Sequence, residues 1–157
     1  MDFQTTCTLF STHAGVVAAI LRAGYRPRVL VVEVNAKLGP SVAATVPYAA
    51  DGSWDGTDYH GGSVEAMRSL GAGLGYTLIY CESCGVNCFL VRDDVLGLNA
   101  MSAKDAASVR SELRSEALHR PQRFHGHEGW QHPPDGRERR FVQLAADGSV
   151  AASLLRP

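Results

Sequence analysis

Hydrophobic and polar positions along the chain follow two patterns, one helical and one strand-like, and these predict the order of the elements. Residues 13–23 are mostly apolar and are followed by Gly24, which predicts a buried helix that ends at this glycine. Residues 28–34 form a continuous β-branched run between Pro27 and Asn35. Such a run is typical of a strand that is covered on both faces.

The middle of the chain predicts a second helix and then a hairpin. Residues 61–74 carry apolar side chains at helical spacing, and Ser63 is placed to cap that helix. Residues 76–80 and 86–92 are apolar runs joined by a short polar turn, which predicts two antiparallel strands. Because a strand, a helix and another strand follow one another, we expect a parallel pair in an α/β sheet. The first ten residues are a candidate for a fourth strand.

The C-terminal part of the chain is more polar. Residues 101–119 predict a charged helix with Ser102 as its cap, and residues 120–137 form a connection rich in histidine and proline. The last segment predicts a closing hairpin that turns at Asp147 and Gly148. We therefore divide the chain into an α/β unit at residues 1–98 and a C-terminal helix, His-rich loop and hairpin at residues 99–157.

Residues 35–60 separate the first strand from the second helix, and their apolar residues follow neither a helical nor a strand-like pattern. Loops of this length inside a compact domain are uncommon and are often functional. Ligands of open α/β sheets bind outside the carboxyl ends of the strands, and Glu33 and Asn35 end the first strand. The candidate pocket that follows from this placement comprises Glu33, Asn35, Asp55, Asp58, Tyr59, His60 and Asn87.

The same residues have a structural interpretation. In that alternative, Glu33 hydrogen-bonds the backbone of the long loop and orders it. The aspartates of the loop either contact substrate and act as acid or base groups, or form Asx turns. In the same way, Asn87 either lines the pocket or ties the hairpin to the loop. The sequence leaves these alternatives open and identifies no catalytic base.

The glycine-rich stretch "SLGAGLGY" raises the question of a cofactor loop. A loop that cradles a phosphate or cofactor follows a strand and opens a helix. Gly71, Gly73 and Gly75 instead follow the predicted helix and precede a strand. This order predicts the C-terminal cap of a helix, where a left-handed residue is needed.

Cysteine and histidine residues offer two candidate metal sites. Cys81, Cys84 and Cys88 have a spacing compatible with zinc, but a structural zinc site needs four converging ligands. Cys88 also lies in a predicted strand, where cysteine behaves as a small apolar residue. His125 and His127 fall in the polar connection, which we interpret as a solvated loop. We therefore expect no metal and keep the cysteines as weak candidate ligands or, alternatively, as a redox-sensitive pair.

Composition places the chain among globular proteins, with 157 residues, 45% of them hydrophobic and 20% charged. A formal net charge of −1 gives no electrostatic reason to expect nucleic acid or an anionic membrane as a partner. No apolar run approaches the length of a membrane span, and the N-terminal residues lack the pattern of a secretory signal. We expect a soluble cytoplasmic protein with reduced cysteines.

Several short motifs between residues 25 and 97 occur in a characteristic order. They are Glu33-Val34-Asn35, Val46-Pro47-Tyr48, Trp54-Asp55-Gly56-Thr57-Asp58-Tyr59, Gly62-Ser63, Gly75-Tyr76, Gly85-Val86-Asn87 and Phe89-Leu90-Val91-Arg92-Asp93. In this order they resemble the C-terminal half of the FkbM-like, class I S-adenosylmethionine-dependent methyltransferases. The resemblance covers a little under half of the chain.

The resemblance implies a partial Rossmann-like sheet whose last strand runs antiparallel. Residues 28–34 would be its fifth strand, and the predicted hairpin its sixth and seventh. It also implies O-methyl transfer from S-adenosylmethionine, or a related reaction, with an unidentified small-molecule or macromolecular acceptor. The family's glycine loop and the acid that ends its second strand have no counterpart here, and residues 10–13 replace an acidic turn. The sequence therefore offers no cofactor-binding residue.

The leading functional hypothesis is a methyltransferase-like protein that lacks the N-terminal cofactor-binding motifs and is not active as this chain alone. The alternative is a non-catalytic binding or scaffold module, and a small zinc-binding protein is a weaker one. A sheet edge left exposed where further strands would pack predicts a homodimer or a partner chain that completes the sheet.

Overall fold

The computed structural model describes residues 13–49, 51–122, 132–145 and 149–154. The helices in these ranges are α1 His13–Arg22, α2 Val64–Gly73, α3 Ala103–Glu112 and α4 Ser115–Leu118. The strands are β1 Val29–Glu33, β2 Ala44–Thr45, β3 Tyr76–Cys81, β4 Asn87–Arg92, β5 Phe141–Leu144 and β6 Val150–Leu154. None of the described helices combines the length and apolar character needed to cross a membrane.

The described strands form two antiparallel sheets, with orders β1-β4-β3 and β2-β5-β6. β4 is antiparallel to both of its neighbours, so β1 and β3 run in the same direction without being hydrogen-bonded to each other. β1 and β3 are therefore parallel in direction, as expected, but β4 lies between them. The short turn after β3 returns β4 beside it, and β1 then pairs with the other edge of β4. The mixed α/β class is confirmed, and the finer Rossmann-like assignment stays a prediction.

The main hydrophobic core lies on one face of the β1-β4-β3 sheet. Leu30, Leu90 and Leu78 are aligned across the three strands and form one row of this face. The buried residues of α1 and α2 that join the same core are Ala14, Ala18, Leu21, Val64, Ala66, Met67 and Leu70. The two helices and the sheet therefore share one core.

The predicted ends of the first two helices are confirmed. Gly24 has a positive φ of 92°, and its N–H donates to the carbonyl of Leu21 at 3.2 Å. The N–H of Tyr25 donates to the carbonyl of Ile20 at 3.3 Å, which completes a Schellman motif at the end of α1. At the start of α2, the Ser63 hydroxyl accepts from the N–H of Ala66 at 3.0 Å.

The glycine-rich stretch is the end of α2, as predicted. Gly71 and Gly73, which were expected to follow the helix, lie inside its last turn, whereas Gly75 follows it with a φ of 81°. Gly71 has a second role, because a β-carbon at this position would collide with the Leu90 side chain and lie 3.3 Å from the Tyr76 carbonyl. The glycine therefore allows α2 to pack closely on the sheet.

Two predicted segments differ in the structure. Residues 101–119 form two helices rather than one, because Arg114 is extended with a ψ of 154°. The break lets buried Ser115 donate to the Glu65 carboxylate of α2 at 2.7 Å, a tertiary contact that helical spacing does not reveal. Residues 35–60 are also more ordered than expected, since they contain the 3₁₀ turn Ala36–Leu38 and strand β2.

The C-terminal hairpin is present as β5 and β6, whose strands pair from Phe141 opposite Leu154. β2 of the long loop pairs with β5, so this hairpin extends a sheet that begins in the loop. The predicted turn at residues 147 and 148 and the candidate strand in the first ten residues lie outside the described residues. The division of the chain at residue 98 stays a prediction.

Substitution of Gly71 tests the close packing of α2. Gly71→Ala is expected to lower the free energy of unfolding by about 1–3 kcal/mol, because the added methyl group overpacks the contact with Leu90. Gly73→Ala is the matched control, since Gly73 is exposed in the same helix. Alanine there is expected to leave stability unchanged or to raise it by about 0.5–1 kcal/mol. Urea unfolding measures both, and equal midpoints for the two variants would contradict the proposed contact.

Candidate functional site

The side chain of Asn35, two residues beyond the end of β1, organises the long loop. Asn35 is 1% exposed, and its Nδ2 donates to the carbonyls of Asp58 at 2.8 Å and His60 at 3.0 Å. Its Oδ1 accepts from the N–H of Lys37 at 3.1 Å, and its own N–H donates to the carbonyl of Gly62 at 2.8 Å. One buried amide thus ties both ends of the loop to the carboxyl end of β1.

Glu33 and Asn87 face each other across β1 and β4. Burial raises the pKa of the half-buried Glu33 carboxyl above its ordinary value. Asn87 donates to Oε1 of Glu82 through both its N–H and its Nδ2, each at 2.8 Å. These hydrogen bonds close the β3–β4 hairpin on itself, whereas one of the two alternatives from the sequence was a tie between the hairpin and the loop.

Asp58 joins the long loop to the C-terminal segment. Its Oδ1 accepts from the N–H of Asp135 at 2.8 Å, and its N–H donates to the carbonyl of Pro133 at 2.9 Å. The Lys37 ammonium lies 3.6 Å from Oδ2 of Asp58 and donates to the carbonyl of His132 at 2.6 Å. The carboxylate and the ammonium together fasten two distant parts of the chain.

Two buried histidines and a tryptophan pack together beside this junction. The rings of His60 and His132 are 5.1 Å apart and nearly perpendicular, and Trp54 lies 4.7 Å from His132. His60 is 2% and His132 is 6% exposed. Burial lowers the pKa of His132, and the nearby Lys37 lowers it further while Asp58 opposes the shift. His132 is therefore neutral at neutral pH.

An ionic cluster on the surface links the same two segments. Asp55 accepts from the hydroxyl and N–H of Thr57, forming the Asx turn that the loop composition suggests, and it pairs with Arg137 and Arg139. The Thr57 hydroxyl first, and then the Thr57 N–H and Arg137, hold the pKa of Asp55 at about 2. Asp135 binds both arginines as well, and its pKa is lowered chiefly by Arg139.

Tyr59 is held in place from three sides. The Arg139 guanidinium lies 4.0 Å from the centre of its ring, and the Phe141 ring lies 4.9 Å away. Its hydroxyl donates to the carbonyl of Arg140 at 2.7 Å. Burial raises the pKa of this phenol. Tyr59 therefore serves as a packing contact between the loop and β5.

The structure thus divides the predicted pocket residues into three groups. Asn35, Asp58 and His60 meet at the end of β1, Asp55 and Tyr59 belong to the ionic cluster, and Glu33 and Asn87 pair on the sheet. Lys37 and His132 join the first group and were not predicted. His132 is distant in sequence and sits in a segment that reads as a polar connection, so no local pattern marks it.

The cysteines of the hairpin lie in two environments. Cys81 and Cys88 are buried opposite each other, whereas Cys84 is partly exposed in the turn. Burial raises the pKa of Cys81 to about 11 and raises that of Cys88 as well. Among the described residues, no group of three or more histidine, cysteine or acidic side chains is placed to hold a metal. His125 and His127 lie outside these residues.

Comparison of the chain with models of known protein families, with curated proteins and with solved structures finds no match. The resemblance to methyltransferases therefore rests on the sequence motifs alone and stays a prediction. The carboxylates of Asp55 and Asp58 are engaged in ionic contacts, and the neutral imidazole of His132 lies near Lys37 and Asp58.

Replacement of Asn35 tests whether its amide orders the loop. Asn35→Ala is expected to lower the free energy of unfolding by about 2–4 kcal/mol, because it removes the amide donor from two buried carbonyls and the acceptor from one N–H. Asn99→Ala is the matched control, since Asn99 is exposed. Urea unfolding measures the loss of stability, and limited proteolysis within residues 46–57 measures the loss of order in the loop. An Asn35→Ala variant as stable and as resistant as the control would refute the role of the amide.

The ionic cluster predicts a dependence of stability on acid. Because the folded-state pKa of Asp55 is depressed, its stabilisation is fully present above the unfolded pKa, near 4, and is lost as the pH falls through about 2. Asp55→Asn is therefore expected to lose stability at pH 6 and to lose less than the wild type on going to pH 2. Asp51→Asn, at an exposed loop position, is expected to keep the wild-type difference. Urea unfolding at pH 6 and pH 2 gives the loss of stability for each protein. An equal loss in all three proteins would contradict the stabilising role of the ionic cluster.

Proposed function

We propose that this chain is a methyltransferase-like domain whose long loop at the carboxyl end of β1 faces the methyl acceptor. The observation that carries the proposal is the order β1-β4-β3 with β4 antiparallel to both neighbours. It agrees with the antiparallel last strand that the sequence motifs imply. The strand end, the loop and the hairpin stand in the order that the resemblance requires.

Binding of S-adenosylmethionine is the chemistry that this proposal demands. An adenosine ribose is usually held by a carboxylate that accepts from its hydroxyls. Glu33 is the half-buried carboxyl at the end of β1, on the sheet beside Asn87. We assign it as the candidate partner of the ribose. His132 is the candidate base for a hydroxyl acceptor, since it is neutral at neutral pH.

A non-catalytic binding module is the second candidate, and it is favoured by a different observation. Asp55, Asp58 and Tyr59 are each engaged in contacts that fasten the loop to the C-terminal segment. In addition, within the described part of the chain, β1 pairs with β4 alone and keeps one edge without a strand. In this alternative that edge pairs with the same edge of a second copy of the chain.

Calorimetric titration of the full chain with S-adenosylmethionine and S-adenosylhomocysteine distinguishes the two candidates. If Glu33 replaces the cofactor-binding residues that the sequence lacks, saturable binding near one equivalent with micromolar affinity is expected. Glu33→Gln is expected to weaken it about tenfold, because a charge-assisted hydrogen bond becomes a neutral one. Glu112→Gln, at an exposed position on α3, is the control that leaves binding unchanged.

Failure of both ligands to bind would overturn the methyltransferase proposal for this chain. The criterion is the absence of heat and of a thermal shift at millimolar ligand, where even weak binding stabilises a folded protein. A dimeric mass by light scattering in the same preparation would then favour the binding module. Binding with equal affinity in the wild type and Glu33→Gln would retain the proposal and remove Glu33 from the site.

A further inference from the structure

Cys81 and Cys88 are direct partners at the turn end of the β3–β4 hairpin. Both side chains belong to the core on the helix-covered face of the sheet, with Cys81 2% and Cys88 0% exposed. Register partners on adjacent strands point to the same face, so the two thiols lie side by side. Neither the proposed cofactor site nor the loop uses them.

The backbone hydrogen bonds of β4 fix the geometry of this pair. On the β1 side, the N–H of Val34 donates to the carbonyl of Val86 at 2.7 Å. Hydrogen-bonded positions recur at every second residue of an antiparallel strand, so Cys88 also directs its backbone groups toward β1. Its N–H and carbonyl therefore point away from β3.

The hydrogen bonds between β4 and β3 show the same alternation. The N–H of Glu82 donates to the carbonyl of Asn87 at 3.0 Å, so this pair is hydrogen-bonded. Cys81 and Cys88, one step further along, therefore form a non-hydrogen-bonded pair. Such pairs have α-carbons about 4.5 Å apart, which is within the range of about 4.4–6.8 Å that a disulfide spans.

We propose that Cys81 and Cys88 form a redox pair that closes into a cross-strand disulfide and locks the β3–β4 hairpin. The oxidant is a small-molecule disulfide such as oxidised glutathione. One cysteine thiolate attacks a sulfur of the oxidant and releases one thiol, which gives a mixed disulfide. The second cysteine thiolate then attacks the protein sulfur of that bond and releases the second thiol. Two protein thiols are oxidised, and one disulfide is reduced to two thiols.

Burial determines the rate of this reaction rather than its outcome. It raises the pKa of both thiols, so each is protonated at neutral pH and reacts slowly. The oxidant reaches the pair when the turn end of the hairpin opens. Cys84 in the turn is more accessible, and a bond between Cys81 and Cys84 is the competing product. The strand register favours Cys88 over Cys84 as the partner of Cys81.

The test is incubation of the full chain with oxidised glutathione, followed by digestion with trypsin and Glu-C under non-reducing conditions. Cleavage after Arg68, Glu82 and Arg92 separates Cys81 from the peptide that carries Cys84 and Cys88. In the wild type and in Cys84→Ser, the expected product links these two peptides with the loss of two hydrogen atoms. It is expected to raise Tm by about 5–10 °C over the reduced protein, because the bond closes a loop of about eight residues.

In the Cys84→Ser background, Cys81→Ser and Cys88→Ser are each expected to abolish both the linked product and the rise in Tm. A Cys84→Ser protein that keeps both thiols, or that ends with glutathione attached to one of them, would overturn the proposal. Fragmentation of the linked peptides by tandem mass spectrometry assigns the bond in the wild type to Cys84 or to Cys88. A wild-type link between Cys81 and Cys84, or a link from either partner to Cys7, would overturn the proposal as well. Because the readouts are a peptide link and a Tm, they are independent of binding to S-adenosylmethionine.

Discussion

The hydrogen-bonding requirement of one buried amide constrains much of this structure. Asn35 leaves the sheet at the end of β1, where it is excluded from water, so each of its polar groups needs a partner inside the protein. The chain supplies these partners by returning at Asp58 and His60. This return places residues 44 and 45 where β5 can pair with them, so the second sheet also depends on it.

Ion pairs also link the long loop to the C-terminal segment. Surface ion pairs each contribute little to stability, but those of Asp55, Asp135, Arg137 and Arg139 share partners and bridge segments about eighty residues apart. They hold the segment that delivers His132 to the side of His60. Asp55 and Asp58 of the candidate pocket are therefore engaged in contacts that fasten the loop to the segment that carries His132.

Local features were predicted well because their causes are local. The stop of α1 at Gly24, the cap of α2 at Ser63 and the β3–β4 hairpin each follow from a few adjacent residues. The insertion of β4 between β1 and β3 and the break before Ser115 depend on contacts between distant segments. Neither feature produces a periodic pattern of apolar residues from which it could be predicted. The same is true of the contact between Lys37 and His132.

Successive side chains of β4 point to opposite faces of the sheet, so structural positions and candidate functional positions alternate along this strand. Cys88 and Leu90 face the core under α1 and α2, where the packing tolerates little change. Asn87 and Phe89 face the opposite side, where Asn87 lies across from Glu33. Cys88 and Asn87 are adjacent. The proposed disulfide at Cys88 therefore constrains β4 within one residue of Asn87, which lies across from Glu33. Because both edges of β4 are paired, that constraint reaches β1 and β3 through the same strand.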